Sequence, residues 1–185
     1  MTLETTRLRL RPFREDDVQA IYDNSAAPEV GLNAGWKPHE SLTESYDVLH
    51  LMFLDQPTVW AIERRGDGRL MGSIGLIADS ARQYGSVRSV GYSLGTAYWG
   101  RGYMTEALRA VTEYGFERMS LDLISATCYA RAVCSKSAVL RMRAGCTVRS
   151  CCGTARCATI CFFICRTKPC RQMQNKTYIF LRNVL

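Results

Sequence analysis

The sequence predicts an α/β (α+β) domain, a sheet flanked by helices. Segments with a two-residue apolar period and segments with a period near 3.6 follow one another in the order β-α-α-β-β-β-α-β. A glycine-punctuated turn falls between the fourth strand and the last helix of that series. The chain is 185 residues long, within the usual range for one domain, and no apolar run approaches the ~20 residues needed to span a bilayer.

Each element has a local reason. In Arg7–Arg11, Leu8 and Leu10 alternate with arginines, which predicts a strand with one solvated face. Asp16 is the expected N-cap of a first helix carrying Val18, Ile21 and Tyr22, and Pro28 is expected to close that segment. Ser41-Leu42-Thr43-Glu44 reads as a capping box, followed by Val48, Leu49, Met52 and Phe53 on one face of a second helix ended by Pro57. Thr58–Arg65 and Leu70–Ala78 are strand-like runs joined by the turn residues Gly66-Asp67-Gly68, a hairpin signal. Val87–Leu94 is the fourth strand, Thr105–Arg118 a helix with Ala107, Val111 and Tyr114 on one face, and Asp122–Tyr129 a further strand.

The stretch between the fourth strand and that helix, GTAYWGRGYMTEA, carries the chemistry. A helix N-terminus presents unpaired amide donors and roughly half a positive charge, so it binds phosphate where no side chain obstructs the backbone. Gly100 and Gly102 remove the obstruction. The dinucleotide fingerprint G-x-G-x-x-G fails because Thr105 stands at the third glycine position, and no G-K-[S/T] is present for a P-loop.

Trp99-Gly100-Arg101-Gly102-Tyr103-Met104 resembles the acyl-CoA pyrophosphate loop of the GNAT (GCN5-related) N-acetyltransferases, general pattern [Q/R]-x-x-G-x-[G/A]. Only Gly102 matches that pattern strictly. Trp at the first position and Met at the sixth, followed by Thr-Glu-Ala, resemble the ribosomal-protein-alanine (Rim-like) branch. The element order extends the resemblance over about residues 3–129, the expected acetyltransferase core. The implied fold is a mixed, mostly antiparallel central sheet flanked by helices.

The resemblance implies direct acetyl transfer from acetyl-CoA to a primary amine, with no metal. Leu94, Trp99, Gly100, Arg101, Gly102, Tyr103, Met104 and Thr105 would bind the coenzyme, and the Leu94 backbone N–H would serve as oxyanion donor. Trp36 would stand in the segment that lines the acceptor cleft; core packing is its other reading. A base is hard to find: Ser89 occupies the position where relatives of the branch often carry glutamate. Glu106 reads as a helix-dipole acid, and His39 and His50 as helix-flank or surface residues. The leaving-thiol tyrosine of the family's last helix has no match, since no tyrosine occurs between Tyr129 and Tyr178.

Composition changes sharply after Asp122. Residues 1–122 hold 13 Lys and Arg against all 17 Asp and Glu, whereas 123–185 hold 11 Lys and Arg and no acid; all nine cysteines lie beyond residue 127. The net charge of +7 is therefore a property of the tail. A nucleic-acid surface lacks a recognisable RNA-binding signature, a metal site lacks paired ligands, and disulfides conflict with an odd count and an expected cytoplasmic location. That location is expected because the charged N-terminus lacks an apolar signal segment.

The fourth explanation is that residues 130–185 are not the family's own C-terminus. The family run N-x-x-S-x-x-V-L-E-K-x-G-F is represented by Ala132, Ser135 and Val139-Leu140 one position late. Arg141-Met142-Arg143-Ala144-Gly145-Cys146 then stands in place of E-K-x-G-F. Such remnants resemble a reading-frame change near residue 134. Expected partners are acetyl-CoA and an amine acceptor, a peptide N-terminus or a small molecule, without membrane or nucleic acid. The alternative is a catalytically weak or inactive acyl-CoA-binding remnant.

Overall fold

The computed structural model describes residues 1–34, 36–79, 85–128, 147–151 and 160–165. Two compact units emerge: Met1–Gly75 with Gly91–Val111, and Leu76–Val90 with Thr112–Val184.

In the first unit, β1 (Leu3–Glu4), β2 (Leu8–Arg11), β3 (Val59–Arg64) and β4 (Leu70–Ala78, as far as Gly75) pair antiparallel in sequence order. The end of β5 (Val87–Leu94) lies beside β4. Leu8 and Leu10 are buried as their alternation predicts, opposite Arg64 and Ile62. Strand β3 is buried on both faces. Val59 and Ala61 meet Phe13, Ile21 and Leu49, while the alternate residues Trp60 and Ile62 point the other way. Close approach of β4 to β5 requires glycine at position 72, because a Cβ there would run into the Ser93 backbone. The Ser73 and Ser93 hydroxyls meet at 2.8 Å on the same pair of strands.

Three helices rather than two lie between β2 and β3: α1 (Val18–Ser25), α2 (Pro28–Ala34) and α3 (Leu42–Val48). Pro28 opens α2 instead of merely ending the preceding segment; its fixed φ and missing N–H suit the first helical position. Asp16 does not cap α1. A 3₁₀ turn, Glu15–Asp17, precedes that helix, and the Asp17 carboxylate accepts the Arg14 N–H at 2.8 Å. Ser41 caps α3 by accepting the Glu44 N–H at 3.1 Å, but the Glu44 carboxylate takes the N–H of Glu40, so the capping box closes one residue early. Beyond Val48 the helix widens into a π turn, Leu49–Phe53. The extra residue rotates the expected face: Leu49 is buried and Phe53 stacks on Phe13 at 4.5 Å, whereas Met52 is 60% exposed.

The solvated arginine face of β2 holds at Arg9 and fails at Arg11, where the Glu15–Asp17 turn covers the strand. Arg11 gives Asp17 two hydrogen bonds of 2.7 Å and Glu63 one of 2.6 Å, with both partners buried. The Asp17 hydrogen bonds, against the cost of burial and with help from Glu63, raise the guanidinium above its ordinary value. The β3–β4 hairpin forms as the turn residues predict, with Gly68 at φ +70° and Asp67 paired to Arg64.

In the second unit, the start of β5 pairs parallel with β6 (Leu123–Cys128), from Val87↔Leu123 to Val90↔Ala126. Strand β8 (Ile160–Cys165) pairs antiparallel with β6, and β7 (Thr147–Cys151) antiparallel with β8. Helix α4 (Tyr103–Glu117) starts in the first unit and ends in the second. Its Gly115 sits so close to the sheet that a Cβ would touch side-chain carbons of Ile124, Leu76 and Leu121 at 3.0–3.2 Å. Buried Ser125 donates to Asp79 at 2.5 Å. Residues 129–146, 152–159 and 166–185, which carry the anomalous run at Ala132–Cys146 and most of the Cys-rich segment, lie outside the described residues.

Removing one member of a buried ion cluster leaves an uncompensated charge, whereas exposed pairs contribute little. Asp17→Ala is expected to lower unfolding stability in urea by about 3 kcal/mol. Glu4→Ala, which removes only the exposed pairs with Arg9 and Arg65, should cost under about 1 kcal/mol.

Candidate active site

The site is built from the end of β5, a turn and the first residues of α4. The Gly95 N–H donates to Met71 O of β4 at 2.9 Å. Strand alternation therefore directs the Leu94 N–H to the opposite edge of β5. A 3₁₀ turn, Thr96–Tyr98, follows. Trp99, 43% exposed, then reaches back so that its indole Nε1 donates to Leu94 O at 2.7 Å. The residue expected at the first loop position thus braces the strand end that carries the expected oxyanion donor.

Gly100 and Gly102 both adopt positive φ, +71° and +74°. An L-residue is strained there, and both glycines have room for a Cβ, so backbone conformation rather than crowding selects glycine. The first intrahelical bond of α4 runs from Glu106 N–H to Gly102 O at 3.1 Å. The amides of Tyr103, Met104 and Thr105 precede it and have no carbonyl four residues back within the helix. All the expected loop residues therefore come together, with backbone donors gathered at one helix end and no Cβ on the two glycines. That donor set fits a pyrophosphate.

Glu106 occupies the first turn as a dipole acid should, but is held in a way the sequence does not disclose. Its carboxylate accepts from the Thr5 hydroxyl at 2.6 Å, the Arg7 backbone N–H at 2.8 Å and Arg7 Nε at 2.7 Å. Burial pushes the carboxyl up, yet the Thr5 hydroxyl and the two Arg7 donors together hold it below its ordinary value. Arg7 also donates from Nη1 to Arg101 O at 3.0 Å and lies over the Tyr103 ring at 4.5 Å. Arg64, paired to Asp67, lies over the Tyr98 ring at 5.9 Å. Periodicity assigns Arg7 and Arg64 to strand surfaces and has no means of joining positions 7 and 106.

The other candidates lie elsewhere. His39 flanks α3, the first of its two expected settings, and is buried there: it is 8% exposed, its Nδ1 is 2.7 Å from Ser45 Oγ, and burial lowers its pKa against the pull of Glu44. His50 is partly exposed, with Nε2 3.0 Å from Glu15. Trp36 packs its ring on His39 with centroids 5.2 Å apart, and its backbone N–H donates to Gly31 O. Ser89 is half-buried on β5. Among the described residues, no group of three or more His, Cys, Asp or Glu could hold a metal ion, and no helix is long and apolar enough to cross a membrane.

The start of β5 runs parallel to β6, and the end of β5 leads through an amide-lined loop into α4. The sequence profile of the acetyltransferase (GNAT) domain matches residues 7–144, and the chain belongs to that family. The uncharacterized N-acetyltransferase YoaA of Bacillus subtilis (strain 168) is 28% identical over 144 residues, 76% of this chain and 80% of that protein. The uncharacterized N-acetyltransferase p20 of Bacillus licheniformis is 26% identical over 129 residues, 68% of this chain and 71% of its own length. The crystal structure of a GNAT-family acetyltransferase from Bacillus anthracis superposes with a TM-score of 0.65 at 20% identity, covering 89% of this chain and 96% of that one. The activity is accordingly acetyl-CoA-dependent N-acetyl transfer.

Two outcomes test the loop. Gly102→Asp puts a side chain on a positive-φ residue and a negative charge beside the amide cluster, and should abolish acetyl-CoA binding in titration calorimetry. Glu106 has a depressed folded-state pKa, so its contribution to stability is present above its ordinary pKa of 4.5 and is lost as pH falls through the folded value. Glu106→Gln should be less stable than the wild type above that pH, and the difference should close on acidification in pH-dependent urea unfolding.

Proposed function

We propose that the acceptor is a protein N-terminal α-amine, as in the ribosomal-protein-alanine type of acetyltransferase. The observation that carries this reading is the commitment of every candidate base. Glu106 is bound to Thr5 and Arg7 with its proton affinity lowered, His39 is buried against Ser45, and His50 lies beside Glu15. Position 89 is a serine. With no unengaged strong base among these candidates in the described residues, the site favours an amine that is already partly neutral. An α-amine of pKa about 7.7–8.0 is on the order of 10% neutral at pH 7, against roughly 0.04% for a lysine near 10.4.

The neutral nitrogen attacks the thioester carbonyl, forming the C–N bond while the carbonyl π electrons move onto oxygen. The Leu94 N–H stabilises that oxyanion. Collapse re-forms the carbonyl and breaks the C–S bond; the thiolate of coenzyme A leaves, and the proton shed by the nitrogen balances its charge. Gly100 through Thr105 hold the pyrophosphate through their backbone amides, with Trp99 bracing Leu94 from the carbonyl side. Trp36 forms part of the acceptor cleft wall in this reading.

A panel of a free-N-terminus peptide, an N-blocked lysine peptide and spermidine, assayed from pH 6 to 9, tests the acceptor. The free α-amine should be preferred, and kcat/KM should rise with pH through that amine's own pKa. Equal rates on the lysine peptide or on spermidine at pH 7 overturn the assignment. Acetyl-CoA binding without turnover on any amine would favour the coenzyme-binding remnant instead.

A further inference from the structure

We propose that Arg7 is a positioning residue of the coenzyme site, acting through the peptide unit between Arg101 and Gly102 and through the first turn of α4. This rests on the assignment of Gly100–Thr105 to the pyrophosphate. In a planar trans peptide the C=O and the following N–H point in opposite directions. Arg7 Nη1 holds Arg101 O at 3.0 Å, so it also sets the direction of the Gly102 N–H, which is turned away from Arg7. That constraint falls where positive φ at both Gly100 and Gly102 leaves a backbone with more conformational freedom than any other residue would give.

The same guanidinium fixes the helix end. Its Nε and the Arg7 backbone N–H both bind Glu106, at 2.7 and 2.8 Å, and its plane covers the Tyr103 ring. Tyr103 and Glu106 bracket the amides of Met104 and Thr105, so one side chain orients the whole donor cluster. Arg7 is not itself the phosphate ligand. Its charge is balanced by Glu106, with Nε donating to the carboxylate and Nη1 to Arg101 O. With Arg7 45% exposed, the ion pair contributes little to global stability. Its effect is to keep the amides in their binding arrangement before the coenzyme arrives.

Two acyl donors separate positioning from general damage: acetyl-CoA, and S-acetylpantetheine, which lacks the pyrophosphate. Affinities are read by calorimetry for the first and by NMR titration for the second. Arg7→Ala is expected to weaken acetyl-CoA by about tenfold, the scale of one charge-assisted hydrogen bond, and to leave S-acetylpantetheine unchanged. Arg7→Lys should not restore affinity, because one ammonium cannot serve Arg101 O and Glu106 while stacking on Tyr103. Glu106→Gln should weaken acetyl-CoA less, and its effect should be lost in the Arg7→Ala background, since the two residues act through one latch.

Equal losses on both donors, full rescue by lysine, or additive effects in the double variant would overturn the proposal. So would unchanged acetyl-CoA affinity in Arg7→Ala. Should Arg7→Ala fail to fold, Arg7→Lys carries the same donor comparison. A wild-type chain that binds S-acetylpantetheine and acetyl-CoA equally well would instead overturn the pyrophosphate assignment on which this rests.

Discussion

An anion-binding helix end has to keep its positive character while being held rigidly, and these demands conflict. The side chain best suited to stabilise the first turn is an acid, and an acid there opposes phosphate. Glu106 resolves the conflict because its negative charge is matched by Arg7 and its lone pairs are used by the Thr5 hydroxyl and the Arg7 N–H. The acid fastens α4 to the N-terminal strand region without presenting bare charge to the loop. The same guanidinium also holds Arg101 O, between the positive-φ residues Gly100 and Gly102, and lies over the Tyr103 ring.

Much of the sheet was legible because it is written in local period. Strands β4 and β5 coincide with their expected bounds, and the Gly66–Gly68 turn forms where the composition places it. The loop was legible because glycine has few other reasons to occur twice just before a helix. Arg11 was misread because alternation reports which way a side chain points, not what covers it; the covering came from a 3₁₀ turn that Asp17 pins to Arg14 and Arg11. Met52 was misread because a π turn breaks the 3.6-residue phase without leaving a mark in the residue types.

The site was legible in outline and not in its supports. Trp99, Gly100 and Gly102 follow from a contiguous motif. The bond from the Trp99 indole to Leu94 O gives a physical reason for an aromatic at that position, since it steadies the end of β5. Arg7, Thr5 and Arg64 belong to other parts of the chain, and no single-sequence pattern joins them to the loop. His39 is a helix-flank residue as the sequence suggests, but its contacts with Ser45 and Ser25 could not be read from the sequence.

The fastening of Glu106 to Arg7 also bears on how the chain folds. Its partners are 99 residues apart in sequence, and the first unit as a whole is interrupted by the segment Leu76–Val90. Nothing emerging early from a ribosome can complete it: β2 and the Thr5–Arg7 turn must wait until α4 has been synthesised. Contacts of such long separation slow the search for the native state, because loop closure is incurred before its reward. The Gly100–Thr105 loop thus gains its hold from Arg7 only once the N-terminal strand has docked.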